Sequence, residues 1–280
     1  VTVQIELQAR FDESANIRYA KEMQSQGIKL IFGSPNLKVH SKICLIERLE
    51  GGNLKKYGFI STGNFNESTA KVYTDLTLFT SNSKILDEVS NVFNFFNANY
   101  KKYIFKNLFV SPINTESKIK KLIGNEIINA KSGKEAWIKI KINNITSYSL
   151  IRSLYEASRA GVKIQMIVRG ICCLIPGHKN MSENIEVISI VDRFLEHTRF
   201  MIFNNNGNCN TFISSADWMT RNLDNRVEVT CPILQDDLKN EILDIFNIYW
   251  NDNVKARLVN SSAKSRISKN NMMQSQQKIY

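Results

Sequence analysis

The sequence predicts an α/β protein made of two tandem domains related by an internal repeat, each a mixed, largely parallel sheet flanked by helices. Three observations carry this expectation. Short strings recur in register, so that Ser61 matches Ser214, Asn64 matches Asp217, Asp75 matches Glu228 and Thr77 matches Thr230 at a common offset of 153 positions. Phe93-Asn-Phe-Phe96 meets Phe246-Asn-Ile-Tyr249 at the same offset, and a repeat this long means two structural copies. Each copy also alternates strand-like and helix-like periods, which implies parallel strand pairs with helices outside the sheet. Length agrees, because 280 residues at 43% hydrophobic content suffice for about two domains with ordinary cores.

Taken in order, the first copy reads as a strand over 3–7, a helix over 12–26 and a buried strand over 28–32, with Gly27 ending the helix. The second copy repeats this. Trp137-Ile-Lys-Ile-Lys-Ile142 alternates as a strand, residues 147–160 place Leu150, Ile151, Leu154 and Ala157 on one helical face, and 162–168 form a near-continuous apolar strand after Gly161. A hairpin follows near 48–56 in the first copy and near 204–209 in the second, and each copy closes with an amphipathic helix, near 84–98 and 237–250. Between Gly161 and His197 the second copy is longer by 23 residues than the first copy is between Gly27 and His40. That insertion carries Arg169 just past the C-terminal end of a strand, where α/β sheets place ligand residues.

Composition narrows the functional classes. No apolar run approaches the ~20 residues of a membrane span, and no signal-peptide pattern is present. Five cysteines, at 44, 172, 173, 209 and 231, lack metal-site spacing, and their odd number among apolar neighbours predicts reduced, buried thiols of a cytosolic protein. Thirty-seven basic residues against 26 acidic ones give a net charge of +11, which predicts an anionic partner. Residues 101–141 hold ten lysines against three glutamates, and the Ser/Asn/Gln-rich tail from 261 is expected to be disordered. The chain begins inside what reads as a strand, so it is expected to be a fragment lacking upstream sequence.

Chemistry concentrates in Leu37-Lys-Val-His-Ser-Lys42 and Leu195-Glu-His-Thr-Arg199. A neutral imidazole attacks phosphorus directly, and a cation two residues along a strand shares its face and stabilises the phosphoryl oxygens. A single His-x-Lys is most often a surface histidine. Two copies in register, each followed by a small-polar turn ending in Asn64 or Asp217, point instead to a two-histidine phosphoryl-transfer site. The third histidine, His178, follows Pro176-Gly177 without a counterpart and reads as a loop residue.

The doubled motif resembles the phospholipase D superfamily. However, the acid that superfamily places after the lysine is Glu47 in one copy and Asn204 in the other, and the second lysine is Arg199. Fuller strings are similar to a narrower group. Glu6-Leu-Gln-Ala-Arg-Phe-Asp-Glu13, Thr62-Gly-Asn-Phe-Asn66, Tyr73-Thr-Asp75, Val168-Arg-Gly170, Ile190-Val-Asp-Arg-Phe-Leu-Glu-His197 and Ser214-Ser-Ala-Asp-Trp-Met-Thr-Arg-Asn222 resemble the C-terminal half of the type 1 bacterial polyphosphate kinases, from residue 1 to about 259. The resemblance implies two phospholipase-D-like domains: 1–105, truncated at its start and carrying His40; 106–260, carrying Arg169 and His197; and a basic tail, 261–280.

It further implies that His40 is the phosphorylated nucleophile, with Lys42 and Arg199 as catalytic cations. His197 is then both general acid and phosphate contact, and Tyr73 and Arg169 are nucleotide or phosphate contacts. Arg10 becomes a phosphate clamp beside magnesium rather than a ligand of it, because a guanidinium has no lone pair to give. Asn64 and Asp217 read as supporting groups of the turns. ATP, Mg²⁺ and inorganic polyphosphate are the implied substrate and cofactor set. The resemblance also implies a bacterial cytoplasmic setting, compatible with peripheral attachment to the inner membrane, and homo-oligomers formed through upstream domains; no nucleic acid is expected. Phe59 and Ser61 depart from the family, which has histidine in many members at the first position and glycine at the second.

Three functions compete: ATP–polyphosphate phosphotransfer, a phosphodiesterase or nuclease, and a non-catalytic polyanion-binding fragment, the last being the expected behaviour of the isolated chain. The first requires His40 and His197 to meet at the seam between copies, within roughly 10 Å of each other. It also requires Arg10, Lys42, Arg169 and Arg199 to converge on one basic cavity. Glu196, flanking His197, is expected to raise its pKa and keep it protonated.

Overall fold

A computed structural model of the chain describes residues 1–6, 13–259 and 272–280. The first copy opens as strand, helix, strand: β1 (Thr2–Ile5), α1 (Glu13–Ser25) and β2 (Lys29–Phe32), with β1 and β2 paired in parallel. Gly27 sits at φ 73°, the left-handed value a helix stop needs. A two-residue strand, β3 (Lys38–Val39), leads into a long hairpin of β4 (Lys42–Glu50) and β5 (Asn53–Ser61). Its turn is Gly51-Gly52, both at positive φ, which matches the twist of the two strands. Then come α2 (Glu67–Ala70), β6 (Tyr73–Thr74), β7 (Thr77–Thr80) and the closing helix α3 (Ser83–Asn97), with β7 extending the hairpin to three strands.

The second copy runs β8 (Phe109–Ser111), α4 (Thr115–Lys131), β9 (Trp137–Ile142), α5 (Tyr148–Arg159), β10 (Lys163–Val168), β11 (Ile185–Ile190), β12 (Leu195–Glu196), β13 (Phe200–Phe203), β14 (Asn210–Ser214), α6 (Thr220–Asp224), β15 (Arg226–Ile233), α7 (Asp236–Trp250), β16 (Ala256–Leu258) and α8 (Ser275–Ile279). All its strands but β12 join β3 of the first copy in one mixed sheet in the order β16-β11-β10-β9-β13-β14-β15-β3, with β8 also on β15. Parallel pairing holds at β9-β10, where α5 makes the crossover, at β10-β11, where a loop does, and at β15-β3. The other neighbours are antiparallel, so the sheet is less parallel than the sequence suggests. The hairpin β13-β14 reverses direction at its turn, and the segment carrying α6 returns the chain antiparallel from β14 to β15.

Two strand pairings cross between the copies among the described residues. Strand β3 of the first copy pairs with β15 of the second, and β12 of the second pairs with β6 of the first. A shared core supports them. Leu86, Val89 and Val92 of α3, Val227 and Val229 of β15 and Phe246 of α7 belong to one apolar cluster and are almost wholly buried. The link between copies is tied down by Glu88 of α3, whose carboxylate accepts the backbone N–H groups of Lys106, Asn107 and Leu108.

The end of the tail departs from the expected disorder, and residues 260–271 lie outside the described residues. Residues 272–280 are folded rather than disordered, with Ser275 and Gln276 buried. Hydrogen bonds that a hydropathy pattern cannot show hold them, chiefly from Ser275 to Asp252. All five cysteines are free; Cys231 alone is fully buried and Cys173 is exposed. Among the described residues no helix is long and apolar enough to cross a membrane.

Candidate active site

Both cross-copy ladders end at a histidine. His40 follows β3 and donates its backbone N–H to Val227 O at 3.0 Å, while His197 follows β12 and donates to Thr74 Oγ1 at 3.1 Å. Each imidazole is then held by the other copy. Nδ1 of His40 lies 2.9 Å from the Glu228 carboxylate, and Nδ1 of His197 lies 2.9 and 3.1 Å from the two oxygens of Asp75. A carboxylate against Nδ1 fixes the proton there and leaves Nε2 with a lone pair.

The acids are themselves positioned symmetrically. Asp75 accepts the hydroxyl of Thr62 at 2.6 Å, and Glu228 accepts that of Ser215. Ser61 Oγ lies 2.8 Å from Thr77 Oγ1 and accepts Gly63 N–H; Ser214 Oγ lies 2.6 Å from Thr230 Oγ1 and accepts Ala216 N–H. Ser61 is therefore a working member of its turn.

Cations complete the site. Arg199 is buried, Nη1 3.3 Å from Nε2 of His197, with its guanidinium held by Asp217 at 3.0 and 3.4 Å. Asp217 also accepts the backbone N–H groups of Asn143 and Asn144. The ammonium of Lys42 bonds the carbonyl of His40. Arg169 donates Nε to Asn143 Oδ1 and to the carbonyl of Glu196, rather than pairing with an acid. Tyr73 stands 5.2 Å, centroid to centroid, from the ring of His197. On the His40 side a cleft of about 760 Å³ is walled by His40, Lys42, Arg226, Asn64, Phe59 and Phe65, within the range of small-molecule sites.

Burial dominates the electrostatics. It lowers the pKa of His40 against the opposing pull of Glu228, with Lys42 and Arg199 adding to the depression. Burial likewise lowers His197, opposed by Asp75 and reinforced by Arg199 and Lys42. Both rings are neutral at neutral pH. The ammonium of Lys42 is brought down to about 7, by burial first and Arg199 next, against the pull of Glu228. For Asp75, Glu228 and Asp217 burial works upward but is outweighed by His197, by His40 and by Arg199 respectively, so all three stay ionised.

The structure brings His40, Lys42, Tyr73, Arg169, His197 and Arg199 to the seam and corrects two expectations. Glu196 does not flank the His197 ring. Successive strand side chains face opposite ways, and its carboxylate pairs with buried Lys141 at 3.0 Å, so His197 is neutral rather than held protonated. Asn64 and Asp217 match in sequence but not in use, since Asn64 is exposed at the cleft and only Asp217 supports a cation. Glu47 and Asn204 stay away from the chemistry, Glu47 pairing with Lys56 and Asn204 bonding the Glu135 carbonyl. Arg10 lies outside the described residues. Asp75 and Glu228 were legible as an aligned acid pair, but nothing in either string says that each serves the other copy's histidine.

The family model described as polyphosphate kinase C-terminal domain 2 matches residues 108–278, and that for C-terminal domain 1 matches 1–102. The chain belongs to the polyphosphate kinase family. It is 52% identical over 259 residues to a polyphosphate kinase of Vibrio parahaemolyticus, covering 92% of this chain and 37% of that protein. Against the enzyme of Yersinia pestis identity is 50%, covering 95% and 39%. The chain thus spans about two fifths of the length of these relatives. The crystal structure of polyphosphate kinase from Porphyromonas gingivalis superposes with a TM-score of 0.91 at 41% identity, over 100% of this chain and 43% of that one.

Proposed function

We propose that the seam is a phosphoryl-transfer site that moves the γ-phosphate of ATP to inorganic polyphosphate, reversibly, through a phosphohistidine on His40. The observation that carries this is the crossed pair: two neutral imidazoles, each fixed at Nδ1 by the other copy's carboxylate, sharing Lys42 and Arg199. Nε2 of His40 attacks the γ-phosphorus, the bond to the bridging oxygen breaks, and ADP leaves. The phosphoryl group then passes to a terminal oxygen of the polyphosphate chain, freeing His40. Lys42 and Arg199 face the charge that spreads over the phosphoryl oxygens. Arg169 and Tyr73 flank the incoming phosphates, with Arg10 assigned a clamp role from sequence.

His197 is the proton donor of the leaving oxygen. Neutral in the resting site, it takes up a proton when a polyanion brings negative charge against it, because nearby anions raise an imidazole pKa. Mg²⁺ fits as a companion of the nucleotide phosphates. The site acids Asp75, Glu228 and Asp217 are committed to His197, His40 and Arg199, and among the described residues no group of three or more His, Cys, Asp or Glu could hold a metal ion.

A chimera in which this chain replaces the corresponding part of the Vibrio parahaemolyticus relative tests the reading. Incubated with γ-labelled ATP and Mg²⁺, it should form labelled polyphosphate, while the isolated chain should bind tripolyphosphate without turnover. Hydrolysis of a phosphodiester without ATP, with no labelled polymer, would favour the phosphodiesterase alternative.

A further inference from the structure

The strand that presents His197 is short. β12 has two residues, and its ladder partner β6 has two, so backbone pairing alone offers little to hold the imidazole against the first copy. The missing support comes from the last turn of the chain. Gln276, 4% exposed on α8, accepts the N–H of Phe194 at 2.8 Å and donates to its carbonyl at 2.9 Å, as a neighbouring strand would. Its second amide hydrogen goes to Glu196 Oε1 at 2.6 Å. We propose that Gln276 is the positioning residue of His197, acting through β12 from a C-terminal helix latched beneath the site.

The latch is built at both ends. Ser275 donates its N–H and hydroxyl to Asp252 Oδ2 at 2.7 Å each, while Asp252 Oδ1 accepts three backbone N–H groups of residues 254–256. The Tyr280 ring packs edge-on against Phe194 at 5.5 Å. From Gln276 the connection reaches His197 through Glu196 and Thr74. Glu196 Oε2 takes Lys141 at 3.0 Å and the Thr74 hydroxyl at 3.2 Å; that same Thr74 oxygen accepts the backbone N–H of His197. The Glu196 carbonyl holds Arg169. Removing the Gln276 amide leaves a buried carboxylate oxygen and both backbone groups of Phe194 without these partners, a loss concentrated on the two residues that orient His197.

This inference rests on the role given to His197, yet its readout is the ring itself. Nitrogen-15 NMR of histidine-labelled chain observes three rings. In the wild type, His197 should show a proton on Nδ1 and titrate below the ordinary imidazole value of about 6.5, because burial, with Arg199 and Lys42, outweighs the upward pull of Asp75. Gln276→Met keeps the volume but none of the hydrogen bonds. It should raise the His197 midpoint by about half a unit or more towards that ordinary value and average its two nitrogen signals, leaving His40 unmoved. Gln276→Asn retains the amide on a shorter stem and serves as the second variant, with a smaller shift in the same direction; Gln274→Ala on the same segment should shift neither ring. Unchanged His197 signals in both Gln276 variants would overturn the proposal, and so would His40 and His197 moving together, which would mean that α8 only stabilises the fold.

Discussion

Glu228 and Asp75 make each histidine depend on the opposite half of the chain, so their substitutions should separate two roles. Glu228→Gln leaves His40 without the charge that fixes its tautomer, and labelling of the chimera by γ-labelled ATP should fall by about 100-fold or more. Asp75→Asn should slow turnover while label still accumulates on His40. Lys42 adds a pH dependence. Its pKa of about 7 means that the amine is charged below that value and neutral above it, so binding a polyanion at higher pH must draw in a proton. Tripolyphosphate affinity should therefore fall as pH rises through 7, with proton uptake visible by calorimetry in buffers of different ionisation enthalpy; Lys42→Arg should remove the step. At this scale the sequence was informative about residue types and poor about direction. The His-x-Lys/Arg spacing brought each cation beside its histidine, although neither pair lies within a strand as expected, and Glu196 at the end of β12 turns away from His197.

Among the elements, the turn at Thr62-Gly-Asn64 shows how narrow the tolerances are. A Cβ on Gly63 would lie 1.8 Å from Asp75 Oδ2, so glycine there is what lets the carboxylate reach His197. The matching position in the second copy is Ala216, opposite Glu228, whose longer side chain approaches differently. Gly63→Ala should cost about 1–3 kcal/mol in denaturant unfolding and displace Asp75. Glu88→Ala, which strips the carboxylate from three buried or half-buried N–H groups, should cost about 3 kcal/mol. Long elements were readable: α5, β9, β10 and the closing helices carry full periods of apolar residues. The strands β3, β6 and β12 were not, since two residues hold no period, and these are the ones that join the copies.

Across the whole molecule, the net charge of +11 matters where it is focused. Lys42, Arg169 and Arg226 each feel Arg199 electrostatically, while Lys42 and Arg226 line the cleft beside His40. Tripolyphosphate binding should weaken by roughly tenfold or more over a tenfold rise in salt. An affinity insensitive to salt would assign the charge to solubility alone. The repeat was visible as a register of strings, and each copy's histidine takes its carboxylate from the other copy. What it hid was the tail, because Gln276 and Ser275 are polar residues whose burial follows from partners far away in sequence.

The central claim is that one histidine carries the phosphate and the other assists. It is tested most directly by locating the acid-labile label in the chimera after brief exposure to γ-labelled ATP, in the wild type and in the His40→Ala and His197→Ala variants. The account predicts label on His40 in the wild type, none in His40→Ala, and slower labelling still on His40 in His197→Ala. Phosphate on His197 in the wild type, or undiminished labelling of His40→Ala, would contradict it.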